Sequence, residues 1–193
     1  VIIGLCGAAG SGKNAVAGFL GDTFGFQQAA LADPLYEAVS AITGMSIDEL
    51  QDRRHKEHVI GWIGRSPRQL LQSLGTEWGR DMVSRTLWID HLFRRLDGLQ
   101  AAGISVVVTD VRFDNEAQLL RDRYDARVWR VVRPAGTVSG EAMQHSSESG
   151  IAAGLVDRVV KNVGTLAKLR EAVTAAAAAD IAMSALQKAT IRE

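Results

Sequence analysis

Residues 6–14 read CGAAGSGKN. Gly7, Gly12 and Lys13 stand in the register of G-x-x-x-x-G-K-[ST]. In that spacing successive backbone N–H groups curl around a phosphate and the lysine reaches its outer oxygens as a point charge. Gly7, Ala8, Gly10, Ser11, Gly12 and Lys13 are therefore candidate phosphate ligands. Position 14 is Asn14 where a Ser or Thr hydroxyl usually helps hold Mg²⁺. Its amide oxygen suits the same ion, directly or through a water, or it can cap the local backbone instead. An acid stands ready at Asp110, which closes the run ISVVVTD. A carboxylate at the end of a buried strand is placed as a Mg²⁺ ligand should be. Arg65, Arg68, Arg80, Arg112 and Arg133 all fall near expected helix starts or strand ends. Guanidinium groups there suit a reaction that spreads negative charge over phosphoryl oxygens. Transfer between two phosphates needs positioning and charge stabilisation, with no Ser, Cys or His base.

These residues need elements to hold them. VIIGLC (1–6) reads as a buried parallel strand, and Val16, Phe19 and Leu20 recur at helical spacing until Gly25, so the glycine loop joins a strand to a helix. The helix N-terminus then adds its dipole to the anion site. Residues 26–30 form a weak strand, and Asp33–Pro34 starts a helix that Gly44 ends. Ser46 with Glu49 and Ser66 with Gln69 have capping-box spacing. The pattern predicts that Gly75 breaks the helix begun at Ser66, that Thr76 caps the next segment, and that a long helix runs from about Val83 to Gln100. Strands follow at 104–109, 128–132 and about 158–160, with helices after Asn115 and from Thr165. Five short apolar strands joined by helical crossovers predict an α/β fold: a parallel sheet flanked by helices, with a helical insertion.

Composition sets the class. The 193 residues suffice for one core, and 22 basic against 22 acidic residues leave no field to attract nucleic acid. The apolar runs are too short to span a membrane, and the opening VIIGLCG lacks a basic n-region and cleavage box, so neither membrane span nor signal peptide is expected. One cysteine and four histidines make a poor metal set, and His55 with His58 read as exposed helical residues. The cytoplasm is the expected compartment.

Four stretches resemble the deoxynucleoside monophosphate kinases of tailed bacteriophages, a branch of the P-loop nucleoside monophosphate kinases. They are the glycine loop, RQLLQSLGTEWGRD (68–81), TDVRFDNEA (109–117), and VWRVVRP with the later HSSE and VKNVGTLAKL. The likeness spans about residues 3–173. It implies a P-loop fold as one kinase domain over 1–174, with a helical monophosphate-binding insertion at about 44–102 and a mobile lid-like segment at about 134–154. An Ala-rich helical tail at 175–193 is expected to have no catalytic role. The implied reaction moves the γ-phosphate of ATP to a deoxynucleoside monophosphate, with Mg²⁺, in nucleotide biosynthesis. The resemblance further implies a homodimer, in the host cytoplasm if the gene is a phage's.

Residue roles carry over by position. Lys13, Asp110, Arg112 and Arg133 would be catalytic. Gly7, Ala8, Gly10, Ser11, Gly12, Lys13 and Asn14 would hold the ATP phosphates, with Asn162 and Gly164 near the adenine. Asp33, Arg68, Gln72, Thr76, Trp88, Asp110, Arg112 and Glu116 would serve the acceptor, Glu116 by orienting Arg112. Asn14 and Asp110 would bind the metal, and Arg133, His145 and Glu148 belong to the closing region. Where the family often has Lys after its D/G-P-L/I run, this chain has Tyr36.

Other readings stay open. A dephospho-coenzyme A kinase-like enzyme or another small-molecule kinase shares the opening loop but should lack the LLQSLGTEWGRD block. A P-loop hydrolase or switch would need a guanine-reading N-K-x-D element or a water-positioning group. A non-catalytic nucleotide-binding protein would follow from decay of the loop at Asn14.

Overall fold

The computed structural model describes residues 1–133 and 150–190. The β-branched runs form β1 (Ile2–Cys6), β2 (Gln27–Ala29), β3 (Val106–Val108), β4 (Arg127–Val132) and β5 (Arg158–Lys161). All pairings are parallel, in the order β2-β3-β1-β4-β5. The expected five-stranded parallel sheet is thus present, with strand ends shifted by one or two residues. The chain fills one side of β1 and then the other, so the order reverses at β1. The carboxyl edge beside such a reversal is where open α/β sheets bind ligands.

Alternation along β1 sorts the core. Ile3 and Leu5, with Val107, Trp129 and Val131, pack against Val16, Ala17 and Leu20 of α1 (Lys13–Phe24) and Leu169, Val173 and Ala177 of α8 (Leu166–Thr190). On the other face, a Cβ on Gly4 would stand 3.1 Å from Val111 and 3.7 Å from Leu120 of α7 (Asp114–Tyr124). Helices therefore flank both faces.

The chain divides into two compact units, residues 1–30 with 95–193 and residues 31–94. The first contains the sheet, α1, α7 and α8. The second is helical: α2 (Asp33–Thr43), α3 (Ile47–Gln51), α4 (Arg53–Lys56), α5 (Pro67–Gln72), a π-helix (Ser73–Val83) and the first part of α6 (Leu87–Ala101). Both capping boxes form, Ser46 with Glu49 and Ser66 with Gln69.

One stretch corrects the sequence reading. Gly75 does not break the helix, Thr76 caps nothing there, and α6 begins at Leu87, not Val83. Residues 73–83 continue from α5 as a π-helix. Trp88 explains why: its Nε1 donates to the Gly75 carbonyl at 2.7 Å, and its ring lies where a Cβ on Gly79 would be. Gly75 is equally tight, since a Cβ there would stand 3.0 Å from Leu35. Gly79, without a side chain, lets the indole sit on the backbone, and the backbone widens around it.

The final helix runs 25 residues, past position 174 without a break. Asp180, buried within its Ala-rich part, accepts from Trp129 Nε1 at 2.8 Å and from Arg158 at 2.9 Å. A buried carboxylate needs such partners. Among the described residues no helix is long and apolar enough to cross a membrane.

Candidate active site

The carboxyl edge of the sheet collects the expected chemistry of the first unit. β1 ends at Cys6 and the glycine loop follows at once. Burial pushes the Cys6 thiol up, against the pull of Arg130 and Lys13, so it stays an unreactive wall group. Gly7, Gly10 and Gly12 all have left-handed backbone, with φ of 134°, 75° and 108°. Two of them have no alternative on space either. A Cβ on Gly7 would run into the Val131 carbonyl of β4, and one on Gly12 would run into the Asn162 amide.

The loop delivers α1 without a side-chain cap. Its N-cap, Gly12, offers no side-chain hydrogen bond, and its first turn carries no acid. The first N–H groups of a helix have no partner within it, and the cap here has no side chain to give them. Lys13 folds back so that Nζ donates to the carbonyls of Gly7 at 2.6 Å and Ala8 at 2.9 Å. Ser11 is buried, and its Oγ has no hydrogen-bond partner among the described residues. An orphaned hydroxyl, a helix start with no side-chain cap and a lysine folded over loop carbonyls form a donor set that fits a polyphosphate. Asn14, the second residue of α1, is exposed.

Asp110 and Arg112 leave β3 on the same edge. The Thr109 N–H donates to Ala29 and that of Val111 to Leu5, so Asp110 lies level with the ends of β2 and β1. Glu116 is buried, and its Oε2 accepts the backbone N–H groups of Arg112 at 2.9 Å and Phe113 at 3.1 Å. It thus fixes the Arg112 backbone while closing the start of α7. The Arg112 side chain is exposed, as is that of Arg133 just beyond β4. Asn162 follows β5 and is buried; Gly164, two residues on, has φ of 81°. His145, Glu148 and most of the expected lid-like segment lie outside the described residues. Its end is described: the Ala152 N–H donates to Asp114 at 2.8 Å, and Arg130 donates to the Ile151 carbonyl.

In the second unit, Arg68 follows Pro67 on α5 and is paired through Nε with Glu57. Sequence spacing gave no sign of that partner, which comes from the loop after α4. At this helix start the box uses the Gln69 N–H, since Ser66 Oγ accepts from Gln69 N at 3.4 Å and Ser66 N donates to Gln69 Oε1 at 3.0 Å. Gln72, Thr76 and Trp88 are half-buried, and Trp78 tilts against Trp88 at 6.3 Å between centroids. Asp33 lies in the first turn of α2. Lys56, absent from the sequence reading, brings Nζ to 3.4 Å from Tyr36 Oη, at the position where the resembling family has its own lysine. His55 and His58 are exposed, with Asp52 3.7 Å from His55.

The loop, the strand-end acid and the parallel sheet define a P-loop phosphotransferase. Residues 44–173 match the family model described as deoxynucleotide monophosphate kinase. A mimivirus protein called a putative deoxynucleotide monophosphate kinase is 32% identical over 133 residues, covering 63% of this chain and 69% of its own. The deoxynucleoside-5′-monophosphate kinase of Escherichia phage T5 is 28% identical, covering 84% of this chain and 89% of its own. Among solved structures, the dephospho-CoA kinase of Campylobacter jejuni matches with a TM-score of 0.51 at 12% identity, over 91% of this chain and 94% of that one. The last is a likeness of fold. The chain belongs to the deoxynucleotide monophosphate kinase family.

Proposed function

We propose that this kinase transfers the γ-phosphate of ATP to a deoxynucleoside monophosphate, releasing ADP and the diphosphate. The observation that carries the ATP half is the start of α1 without a side-chain cap, framed by three left-handed glycines with Lys13 folded over the loop. On this reading the N–H groups of the loop hold the β- and γ-phosphates, and Lys13 leaves its carbonyls for the transferring oxygens. Arg112 and Arg133 then stand at the same sheet edge to meet charge that develops in transfer.

Asn14 and Asp110 are the oxygen ligands on hand for Mg²⁺. When bound, that ion neutralises charge between the β- and γ-oxygens. In the second unit the acceptor would fall to Arg68, Gln72, Thr76 and Trp88, with Asp33. Arg68 would grip the acceptor phosphate once it exchanges Glu57 for it. No base is required, because a phosphate monoester dianion is its own nucleophile.

The test is a panel of ribo- and deoxyribonucleoside monophosphates with ATP and Mg²⁺, read as ADP and diphosphate formed. Diphosphate from at least one deoxynucleotide is expected. ADP formed equally without any acceptor, or no product from any deoxynucleotide in folded protein, would remove this reading.

A further inference from the structure

Asn162 joins three pieces of the sheet edge. Its backbone N–H donates to the Val132 carbonyl of β4 at 2.8 Å, and it directly follows β5. Its side chain turns to the glycine loop, where Nδ2 donates to the Ser11 carbonyl at 2.9 Å. Both groups are buried. The amide also sits where any side chain at position 12 would have to go, which leaves room there for glycine alone.

That hydrogen bond decides which way one peptide faces. The Ser11–Gly12 peptide precedes the first residue of α1, and Gly12, at φ 108° and ψ 17°, has backbone freedom that no other residue has. Held by Asn162, the Ser11 carbonyl is turned toward the residue that follows β5. Without a donor it would be a buried acceptor with no partner, and the glycine would let the peptide turn. A carbonyl turned inward would set an oxygen dipole against phosphate oxygens.

We infer that Asn162 is a positioning residue that acts through the glycine loop: its amide locks the Ser11 carbonyl outward and so sets the loop for triphosphate. This differs from an adenine contact, the role the resemblance implies, because Nδ2 donates to the loop. The inference rests on the reading of the loop as the ATP site.

The experiment measures binding of ATP and of inorganic tripolyphosphate, which has no base, to the full chain by calorimetry, beside thermal melts without ligand. The variants are Asn162→Asp and Asn162→Ala. Asp keeps the shape against Gly12 but cannot donate when ionised. Both should weaken ATP and tripolyphosphate in parallel, by about ten- to a hundredfold, the effect of leaving one buried acceptor unpaired. N162D should lose at least as much as N162A, since it also adds negative charge. The Michaelis constant for the acceptor should stay within about twofold in any variant that turns over. Tripolyphosphate affinity unchanged while ATP affinity falls would mean a base contact and overturn the inference. So would N162D binding both probes like the parent, which would leave only packing. Failure of the parent itself to bind either probe would overturn the loop reading and the inference with it. A variant too unstable to assay alone is replaced by Gly12→Ala, which drives a side chain into the amide. Unaltered tripolyphosphate binding there also counts against the inference.

Discussion

Two helix starts in this protein meet the same demand in opposite ways. The first N–H groups of any helix need partners from outside it. At α5 the chain supplies its own: Ser66 and Gln69 close a reciprocal box, Pro67 removes a donor, and Arg68 is occupied by Glu57. At α1 a left-handed glycine stands at the cap with no side chain to give, and Lys13 is turned onto loop carbonyls. The contrast separates a helix end capped by its own side chains from one whose cap has none to give. The Gln69 N–H used by Ser66 is not free for a phosphate, so an anion at α5 would depend chiefly on the Arg68 guanidinium.

The largest effect expected from this contrast is at α1. Lys13→Ala should cut turnover by about 10²–10³, the cost of removing one preorganised donor to a developing charge. The melting temperature should move little, because the Gly7 and Ala8 carbonyls that Lys13 meets belong to a loop that Asn162 also holds. Single-turnover rates beside a melt check this. Parental turnover in K13A would mean that this helix start is not where ATP reacts.

Next comes the arginine of the capped helix. Arg68→Ala should raise the Michaelis constant for the monophosphate roughly tenfold or more, the worth of a charge-assisted hydrogen bond, and leave ATP affinity alone. Titrations of the two nucleotides separate the cases. A loss confined to ATP would place Arg68 with the donor and undo the division of labour between the two helices.

What could be read in the sequence was what is decided locally. Both capping boxes span four residues, and the five strands announce themselves as short β-branched runs, so each was visible in a window shorter than a helix. The glycine loop was legible because its spacing and its strand-to-helix context are contiguous. The π-helix was not: it depends on Trp88 donating to Gly75, 13 positions away, and at short range a glycine reads as a stop. Asp180 looked like a lone polar residue in a run of alanines, because its partners Trp129 and Arg158 come from two strands. The tie between Asn162 and Ser11 spans 151 positions. Glu57 failed to show for a related reason, lying on a loop with no periodicity.

Stability should report the cap at α5 with a smaller effect. Ser66→Ala removes the side-chain half of the box and should cost about 1 kcal/mol, typical for an N-cap. In a chain of this size that corresponds to a drop in melting temperature of roughly 2–4 °C. ATP affinity should be unaffected. If S66A instead melts like the parent and binds monophosphate more tightly, the N–H groups at α5 were available to an anion after all, and the two helix starts are alike.

The smallest effect tests whether Glu57 restrains Arg68. The pair is largely exposed, with side-chain accessibilities of 44% for Arg68 and 63% for Glu57. Exposed ion pairs contribute only about 0–1 kcal/mol, so Glu57→Gln should leave the melting temperature within about a degree. Its effect on binding has a definite sign. Removing the carboxylate ends the competition for the guanidinium and takes a negative charge from beside the arriving phosphate. Both changes favour the monophosphate, and the gain should be no more than about fivefold at low salt. It should shrink as salt rises, because interactions between exposed charges are screened beyond about 10 Å at 0.1 M. It should also vanish in the R68A background, since there is then no guanidinium to release. A Michaelis constant for the monophosphate measured at two salt concentrations, in E57Q with and without R68A, reads all three. Weaker monophosphate binding in E57Q would show that Glu57 holds Arg68 ready for the acceptor, the reverse of competition, and would make the ion pair part of the site.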